Sequence, residues 1–393
     1  MNTPPIGTAS IDASSKSQYD YFGPIVIFGM TLLPMTTLFN LVRLGLAIGL
    51  FMLGIFKKPT ISTKLIFMFV LMVLSLIFPV ITVLFLEGNH ANFGTWSHEF
   101  QRLLFYIVLI TAVYNYRVPF KFLYWICIIT LLLHTTIQTL QWLEVEGVHD
   151  FIRDVYAGGQ DHIHLDLALG GRENGGFRSG SIYLNPNVYM IIPLSVLCVI
   201  LQANQLKASL LNYAFMLVAL FSLLLTGSRT TLIVAVAVIA VYILRNKEVS
   251  TGWKLGMLLL FVVAIFILPQ FLGDFRVFDI ENGIESSASI KLGGLRGYII
   301  NANPLYFFTG SLSSSILVAI DAEWGYIFAF YGITGLAWYI SYIRLMGRNA
   351  ATLPFMSNAI RIVLCLIAMT ASVVLCMPIF SFFCLLSLTK IEV

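Results

Sequence analysis

The sequence predicts an all-α, polytopic integral membrane protein. Of its 393 residues, 59% are hydrophobic and 11% are charged, whereas soluble domains average about 25% charged residues. The mean hydropathy is +0.89, and the apolar stretches are continuous rather than alternating. Continuous stretches favour membrane helices over the strands of an outer-membrane barrel. This composition excludes a cytosolic enzyme, a nucleic-acid-binding module and a disordered chain.

A membrane-spanning helix requires about 20 apolar residues, so a chain of this length accommodates about twelve spans. The apolar stretches predict them, in order, at Tyr21–Met35, Leu38–Phe56, Lys64–Leu86, Glu99–Tyr116, Phe120–Leu143, Asn187–Ala203, Ser209–Thr226, Thr230–Leu244, Trp253–Leu272, Glu323–Ile343, Ala359–Cys376 and Ile379–Leu388. The polar stretch before them does not have the pattern of a cleavable signal peptide, so we expect the first span to stay in the membrane.

The charges of the connecting loops predict the orientation of these spans. With the N-terminus in the cytoplasm, basic residues lie on the cytoplasmic side at Lys16, Lys57, Lys58, Lys64, Arg117, Lys121, Lys207, Arg245, Lys247, Lys254, Arg344, Arg348 and Lys390. Nearly all acidic residues lie on the outer side, at Glu87, Glu144, Glu146, Asp150, Asp154, Asp161, Asp166, Glu173, Asp274, Asp279, Glu281 and Glu285. Cytoplasmic loops are enriched in Lys and Arg, so both termini are expected in the cytoplasm.

The spans and loops divide the chain into six parts. They are a cytoplasmic segment (1–20), N-terminal spans (21–143), a first long outer loop (144–186), central spans (187–272), a second long outer loop (273–322) and C-terminal spans (323–393). Because both long loops fall on the outer side, we expect the chemistry or recognition there. No internal repeat is visible, so the inverted symmetry of many transporters is missing.

Arginines are scarce on the predicted outer side, and two of them, Arg172 and Arg178, lie in a glycine-rich stretch. Glycines allow a ligand to approach the backbone closely. Asn185 or Asn187 can cap the helix that follows. An arginine beside a helix N-terminus favours an anion. The alternative is a glycine-rich turn whose arginines contact lipid phosphates.

Two further arginines have a similar setting. Arg229 follows Gly227 and Ser228 at the predicted start of a helix, where a cation opposes the helix dipole unless an anion is also bound. It could instead extend to the membrane surface. Arg296 lies among glycines in the second long loop. Deeper in the membrane, Arg102 has Glu99 one helical turn away as a partner.

Two carboxylates, Asp321 and Glu323, lie at the predicted outer mouth of a span. Either could act as a general base or as an ion-pair partner of the arginines. Two carboxylates alone are too few to indicate a metal site, and we predict none. The aromatic residues Tyr183, Trp324 and Tyr326 could stack against sugars.

The ordered set of motifs resembles the O-antigen polymerase and ligase superfamily of bacterial polysaccharide assembly. The matching pieces are Arg178–Asn187 (RSGSIYLNPN), the GSRT sequence that begins at Gly227, the outer-loop Arg296, and Asp321–Leu336 (DAEWGYIFAFYGITGL). The match runs from about Gly170 to Leu336, and the span pattern is compatible throughout. The resemblance implies a fold similar to the C-type membrane glycosyltransferases, in the bacterial cytoplasmic (inner) membrane, with an active site that faces the periplasm or exterior.

The resemblance implies transfer of a glycan from undecaprenyl pyrophosphate to the non-reducing end of a lipid-linked repeat unit of O-antigen, capsule or exopolysaccharide. Arg178, Arg229 and Arg296 would bind the pyrophosphate with help from Arg172, while Asn185, Asn187, Tyr183, Ser228, Trp324 and Tyr326 would contact substrate. Glu323, or failing that Asp321, would accept the proton of the acceptor hydroxyl. No cofactor or metal is expected. Partners would be the lipid-linked donor and acceptor, membrane lipid, and a chain-length regulator and flippase; no nucleic acid is expected.

Two alternatives remain open. An O-antigen ligase would transfer the glycan to lipid A core, but ligases of this family usually carry a His three residues before the Tyr of the last motif. Glu323 occupies that position here, which favours a polymerase. A transporter or flippase for lipid-linked glycans is an alternative of another class.

Overall fold

The computed structural model describes residues 19–55, 61–83, 85, 93–156, 177–183, 185–245, 252, 256, 293, 296–300, 302–312, 323–368 and 376–393. These parts of the chain are mostly helical, as the sequence predicts. The helices are α1 (Phe22–Leu32), α2 (Thr37–Ile55), α3 (Thr63–Thr82), α4 (Phe93–Tyr114), α5 (Phe120–Trp142), α6 (Val148–Tyr156), α7 (Pro186–Tyr189), α8 (Ile191–Leu206), α9 (Leu210–Leu225), α10 (Arg229–Arg245), α11 (Pro304–Thr309), α12 (Glu323–Leu345), α13 (Pro354–Ile367) and α14 (Met377–Leu388). Short 3-10 helices form at Ser181–Tyr183 and Met346–Asn349, and two strands at Arg117–Pro119 (β1) and Lys390–Glu392 (β2).

Five stretches of the described residues are long and apolar enough to cross a membrane. They are Thr37–Gly54, Thr63–Thr82, Phe120–Trp142, Pro186–Leu206 and Glu323–Asn349. Shorter apolar helices accompany them at α1, α9, α10, α13 and α14. This composition fits an all-α membrane protein, whereas the count of twelve spans stays a prediction. The predicted span Trp253–Leu272 lies outside the described residues.

Some helices differ from their predicted bounds. Helix α4 begins at Phe93, six residues before the predicted start, because its polar first turns are held by neighbouring helices. There the indole of Trp96 donates a 3.1 Å hydrogen bond to the Leu76 carbonyl of α3. Helix α6 lies within the predicted first outer loop; it buries Ile152 and exposes Arg153, which pairs with Asp150 at 2.8 Å. Hydropathy alone misses such polar helical turns.

One end of the helical bundle, here called the strand end, is built around β1 and β2. The two strands are parallel, with Arg117 opposite Lys390. The backbone N–H of Asp20 donates to the Arg117 carbonyl at 2.9 Å, and the Asn349 side-chain amide donates to the Thr389 carbonyl at 2.7 Å. The start of α1, the α4–α5 connection and the ends of α12 and α14 therefore meet at this end.

The opposite end, here called the pocket end, brings together the turn between α1 and α2 and the first turns of α2, α4, α7 and α14 around one cavity. The Tyr183 hydroxyl donates to the Thr31 carbonyl at 2.8 Å, which connects the segment before α7 to α1. In the same way, Tyr156 of α6 donates to the Leu32 carbonyl at 3.2 Å. The first outer loop thus meets the bundle at the pocket end.

The two ends carry different charges. Helix directions and contacts put the basic residues Arg117, Lys121, Lys207, Arg245, Arg344, Arg348 and Lys390 at the strand end, together with Asp20 and Glu392. The pocket end carries Glu99, Glu144, Glu146, Asp150 and Asp154, along with Arg43, Arg102, Arg153 and Arg178. The asymmetry agrees with the predicted orientation, in which the strand end is cytoplasmic; the orientation itself stays a prediction.

Helix α12 is broken in its middle. Gly332 has φ 63° and ψ −156°, a backbone conformation that residues with a side chain rarely adopt. The Ala329 carbonyl accepts a 2.9 Å hydrogen bond from the Ser311 backbone N–H, just beyond α11. A Cβ on Gly332 would lie 2.5 Å from the Phe308 carbonyl oxygen. The break therefore exists because the end of α11 packs directly against the backbone of α12.

Candidate functional site

A cavity of about 290 Å³ opens at the pocket end. Its walls come from α2 and the turn before it, α4, α7 with its cap, and the start of α14. The lining residues are Met35, Thr37, Asn40, His98, Gln101, Arg102, Asn185, Val188, Cys376, Met377 and Pro378. Its size is at the lower end of small-molecule sites, which span about 300–1,000 Å³.

The electrostatics of the cavity favour an anion. Helix N-termini carry partial positive charge, and the cavity meets the first residues of α2, α14 and the helical run Pro186–Leu206. Arg102 adds a full positive charge, and no carboxylate is among the described residues that line the cavity. Asn185 caps the run by accepting a 3.0 Å hydrogen bond from the Asn187 backbone N–H.

Arg102 is positioned by a buried carboxylate. Its Nη1 atom lies 2.6 and 2.7 Å from the two oxygens of Glu99, which is only 2% exposed. This confirms the predicted pair. Tyr326 donates to one oxygen of Glu99 at 3.1 Å, and Tyr331 donates to the other. The cavity arginine is therefore tied to α12 next to its break.

Arg43 lies behind the cavity wall and is fully buried. Its Nε atom donates to the Met30 carbonyl at 3.0 Å, and Nη1 donates to the Asn40 side-chain oxygen at 2.8 Å. Its Nη2 atom donates to the Leu33 carbonyl. Arg43 thus fixes the α1–α2 turn and orients Asn40, which lines the cavity.

The two predicted arginine motifs meet in the structure. Arg178 donates from Nη2 to the Asn187 side-chain oxygen at 2.6 Å. The Arg178 side chain also packs on Gly227, because a Cβ added to that glycine would lie 3.1 Å from Cγ of Arg178. Gly227 has φ +59°, which allows the turn before α10. Ser228 in this turn is buried and donates its backbone N–H to the Thr226 hydroxyl at 3.3 Å. Arg229 begins α10, and its side chain lies outside the described residues.

A ladder of buried polar side chains on α5 anchors the Arg178 segment. His134 Nδ1 lies 2.9 Å from the Ser181 hydroxyl, and Gln138 donates to the Ser179 carbonyl at 3.3 Å. Gln141 accepts from the Ser179 hydroxyl. Sequence reasoning missed this ladder, although its signal is present: three polar residues spaced 4 and 3 apart fall on one face of an apolar helix.

Of the remaining predicted residues, Glu323 is fully buried and accepts a 2.9 Å hydrogen bond from Tyr339. Glu323 lies one helical turn before Tyr326, whose hydroxyl donates to Glu99, the partner of the cavity residue Arg102. Asp321 lies outside the described residues.

The predicted sugar-stacking aromatics occupy different environments. Tyr183 is fully buried, and this burial raises the pKa of its phenol well above its ordinary value. Its ring packs 5.3 Å from that of His134, so in this conformation it acts in packing. Trp324 is half-buried against the core, and Tyr326 is half-buried and bonded to Glu99.

Arg296 lies in a described helical stretch (296–300) and is exposed. Tyr298 of that segment packs against Phe307 and Phe328 at 5.8 and 6.2 Å, which places Arg296 beside α11 and α12. Arg172 lies outside the described residues. The structure thus brings Arg178 beside the Gly227 turn and associates Arg296 with a different pair of helices.

Comparison with protein-family models, with curated proteins and with solved structures found no match for this chain. Within the described ranges, no three His, Cys, Asp or Glu side chains cluster to hold a metal ion.

Proposed function

We propose that this protein is a membrane glycosyltransferase that extends a polysaccharide on the outer face of the bacterial cytoplasmic membrane. The observation that carries the proposal is the cavity at the pocket end, where Arg102 and several helix N-termini meet and no described lining residue is acidic. Such an environment suits a pyrophosphate, because guanidinium groups and helix N-termini both bind phosphate oxygens. The lipid-linked glycan would be carried on undecaprenyl pyrophosphate.

The reaction forms one glycosidic bond and breaks one bond to phosphate. The acceptor hydroxyl oxygen attacks the anomeric carbon of the donor glycan, while the bond from that carbon to the pyrophosphate oxygen breaks. The electron pair leaves with undecaprenyl pyrophosphate, and the hydroxyl proton passes to a carboxylate. Arg102 and the arginines Arg178, Arg229 and Arg296 would stabilise the negative charge that develops on the leaving group.

The proton acceptor we propose is Glu323, with Asp321 as the second candidate. Glu323 lies one helical turn before Tyr326, which donates to the Glu99 partner of Arg102, and Tyr339 donates to one of the Glu323 oxygens. A general base must lie within hydrogen-bond reach of the proton that it accepts. The acceptor sugar would therefore have to approach the start of α12, where both carboxylates belong in the sequence.

The test is extension of a lipid-linked repeat unit by purified protein in vesicles, read as glycan ladder length on a gel. The variants are Arg102→Ala, Arg178→Ala, Arg229→Ala, Arg296→Ala and Glu323→Gln. Loss of one preorganised donor typically costs about 2.7–4 kcal/mol, so we expect each variant at a site arginine to extend about 100- to 1,000-fold more slowly. Arg153→Ala is the matched control, since Arg153 pairs with Asp150 and Asp154 on the exposed side of α6. Full-length ladders from well-expressed Arg102 and Arg178 variants would refute the mechanism.

The broken helix α12 favours a second candidate, a transporter of lipid-linked glycans. Discontinuous helices next to buried charges are common at transporter binding sites. Gly332 and the Glu99–Arg102 pair form such an arrangement. Vesicles with substrate on one side separate the two functions: a transporter moves the glycolipid across the bilayer, whereas a polymerase lengthens it. Supplying lipid A core as the acceptor distinguishes a ligase.

A further inference from the structure

Glu99 accepts hydrogen bonds from two tyrosines in addition to its ion pair with Arg102. It is 2% exposed, and its two oxygens accept hydrogen bonds from Arg102, Tyr326 and Tyr331. A buried ion pair adds little net stability, because desolvation offsets most of the attraction between the charges. The arrangement therefore calls for a reason other than stability.

The geometry of Arg102 suggests that reason. Both hydrogen bonds from Arg102 to Glu99 use Nη1, and the Arg102 side chain also lines the cavity. The Arg102 side chain keeps 20% of its surface exposed, whereas Glu99 is buried behind it. A guanidinium fixed through one nitrogen can present its other donors in a constant direction.

The tyrosines connect this arrangement to the break in α12. Tyr331 directly precedes Gly332, where the helix loses its regular conformation, and Tyr326 lies about 1.7 turns before Gly332. Both hydroxyls reach across to α4. A change in the break that rotated this half of α12 would withdraw one or both hydroxyls from Glu99.

We infer that Glu99 is a positioning residue, and that Tyr326 and Tyr331 couple the direction of Arg102 in the cavity to the conformation of α12 at Gly332. The inference deepens the proposed function, on which it rests for the role of the cavity. It means that the anion site is fully assembled only when α12 is broken as seen here. Movement of α12 would then release the pyrophosphate after transfer.

The test uses Tyr326→Phe, Tyr331→Phe and the double variant, which remove hydroxyls without changing any charge. Modification of Arg102 by phenylglyoxal, a reagent for guanidinium groups, is followed by mass spectrometry in the purified full-length protein. A hydrogen bond to a charged group contributes enough that its loss should speed modification about tenfold. The buried Arg43 serves as the internal reference, because general loosening of the fold would speed both arginines. Tyr342→Phe is the matched control, since that buried tyrosine of α12 contacts Cys384 instead.

A tenfold rise in the Arg102 to Arg43 ratio in the double variant, with Tyr342→Phe unchanged, is the expected result. An unchanged ratio in the double variant would overturn the inference.

Inorganic pyrophosphate is added in parallel and should slow modification of Arg102 in the wild type. If pyrophosphate does not protect Arg102 from modification, the anion site and hence the proposed function are contradicted. The ratio of Arg102 to Arg43 modification in the tyrosine variants still decides the role of Glu99. In the extension assay, Tyr331→Phe should lower kcat more than it changes KM, which a purely structural role would not produce.

Discussion

Among the described residues, three charged side chains are buried inside the bundle, and each of them is hydrogen-bonded. Arg43, Glu99 and Glu323 have 0%, 2% and 0% of their surface exposed, and all three accept or donate hydrogen bonds within the protein. An ionisable residue among membrane helices is costly, so its presence indicates function or a specific structural role. Arg43 fixes the turn between α1 and α2, whereas Glu99 and Glu323 both accept hydrogen bonds from tyrosine hydroxyls of α12.

The structural role of Arg43 leads to a prediction about stability. Arg43→Met keeps an unbranched apolar stem but removes the donors to the Met30 and Leu33 carbonyls and to Asn40. A hydrogen bond to a charged group contributes about 1.5–3 kcal/mol, so we expect a loss of at least about 2 kcal/mol. Thermal unfolding of the purified protein in detergent measures it as a fall in Tm.

Arg153→Met is the matched control, because its partners Asp150 and Asp154 are both more than half exposed. Exposed ion pairs contribute about 0–1 kcal/mol, so its Tm should barely change. Equal melting temperatures for the two variants would show that the buried hydrogen bonds of Arg43 do not stabilise the turn.

At the scale of elements, the packing of α11 on α12 depends on two glycines. Gly310 and Gly332 have φ of +79° and +63°, and a Cβ on either would overlap backbone atoms of the other element. Gly332→Ala should therefore separate α11 from α12 and move Tyr331 away from Glu99. We expect both a lower Tm and at least about tenfold slower glycan extension, measured on the same preparation.

Gly45→Ala in α2 provides the comparison, because nothing lies within 4 Å of the position of its Cβ. Alanine is favoured over glycine in a helix by about 0.5–1 kcal/mol, so that variant should be as stable as the wild type or more so. If Gly332→Ala were as stable and as active as Gly45→Ala, the break would not be required.

The α5 ladder is a second element whose role can be tested. Gln138 donates to the Ser179 carbonyl and accepts a 2.7 Å hydrogen bond from the Ser222 hydroxyl, so it connects α5, α9 and the Arg178 segment. Gln138→Leu should loosen that segment. The expected result is faster hydrogen exchange at the Ser179 N–H, which is now bonded to the Leu225 carbonyl at 2.9 Å.

Thr130→Val on the same helix is the control for this effect. Thr130 is fully buried, and its hydroxyl donates at 2.7 Å to the Ile126 carbonyl of its own helix. Its replacement should leave exchange in residues 177–183 unchanged. Equally faster hydrogen exchange in the two variants would show that Gln138 has no specific role in holding the Arg178 segment.

The sequence predicts the helices whose bounds follow from apolar composition. It does not predict structural features that depend on contacts between residues far apart in the chain. The predicted span Phe120–Leu143 corresponds closely to α5, because apolar composition alone determines it. The break at Gly332 and the early start of α4 depend on partners far apart in the chain, such as Phe308 and Leu76, which no local pattern reveals. The same limit applies to the site: Arg178 and Asn187 belong to one local motif and are hydrogen-bonded to each other, whereas the cavity around Arg102 is assembled from four separate segments.

At the scale of the whole molecule, the separation of charge between the two ends predicts the orientation in the membrane. Asp150 and Lys121 are exposed at the pocket end and the strand end, respectively. In a variant whose five cysteines are replaced by serine, Asp150→Cys should react with a membrane-impermeant maleimide added to intact spheroplasts. Lys121→Cys should react only after the membrane is permeabilised, because positive loops are retained in the cytoplasm. Labelling of Lys121→Cys in intact spheroplasts would place the cavity on the cytoplasmic side, where a glycan polymerase of the proposed kind could not act.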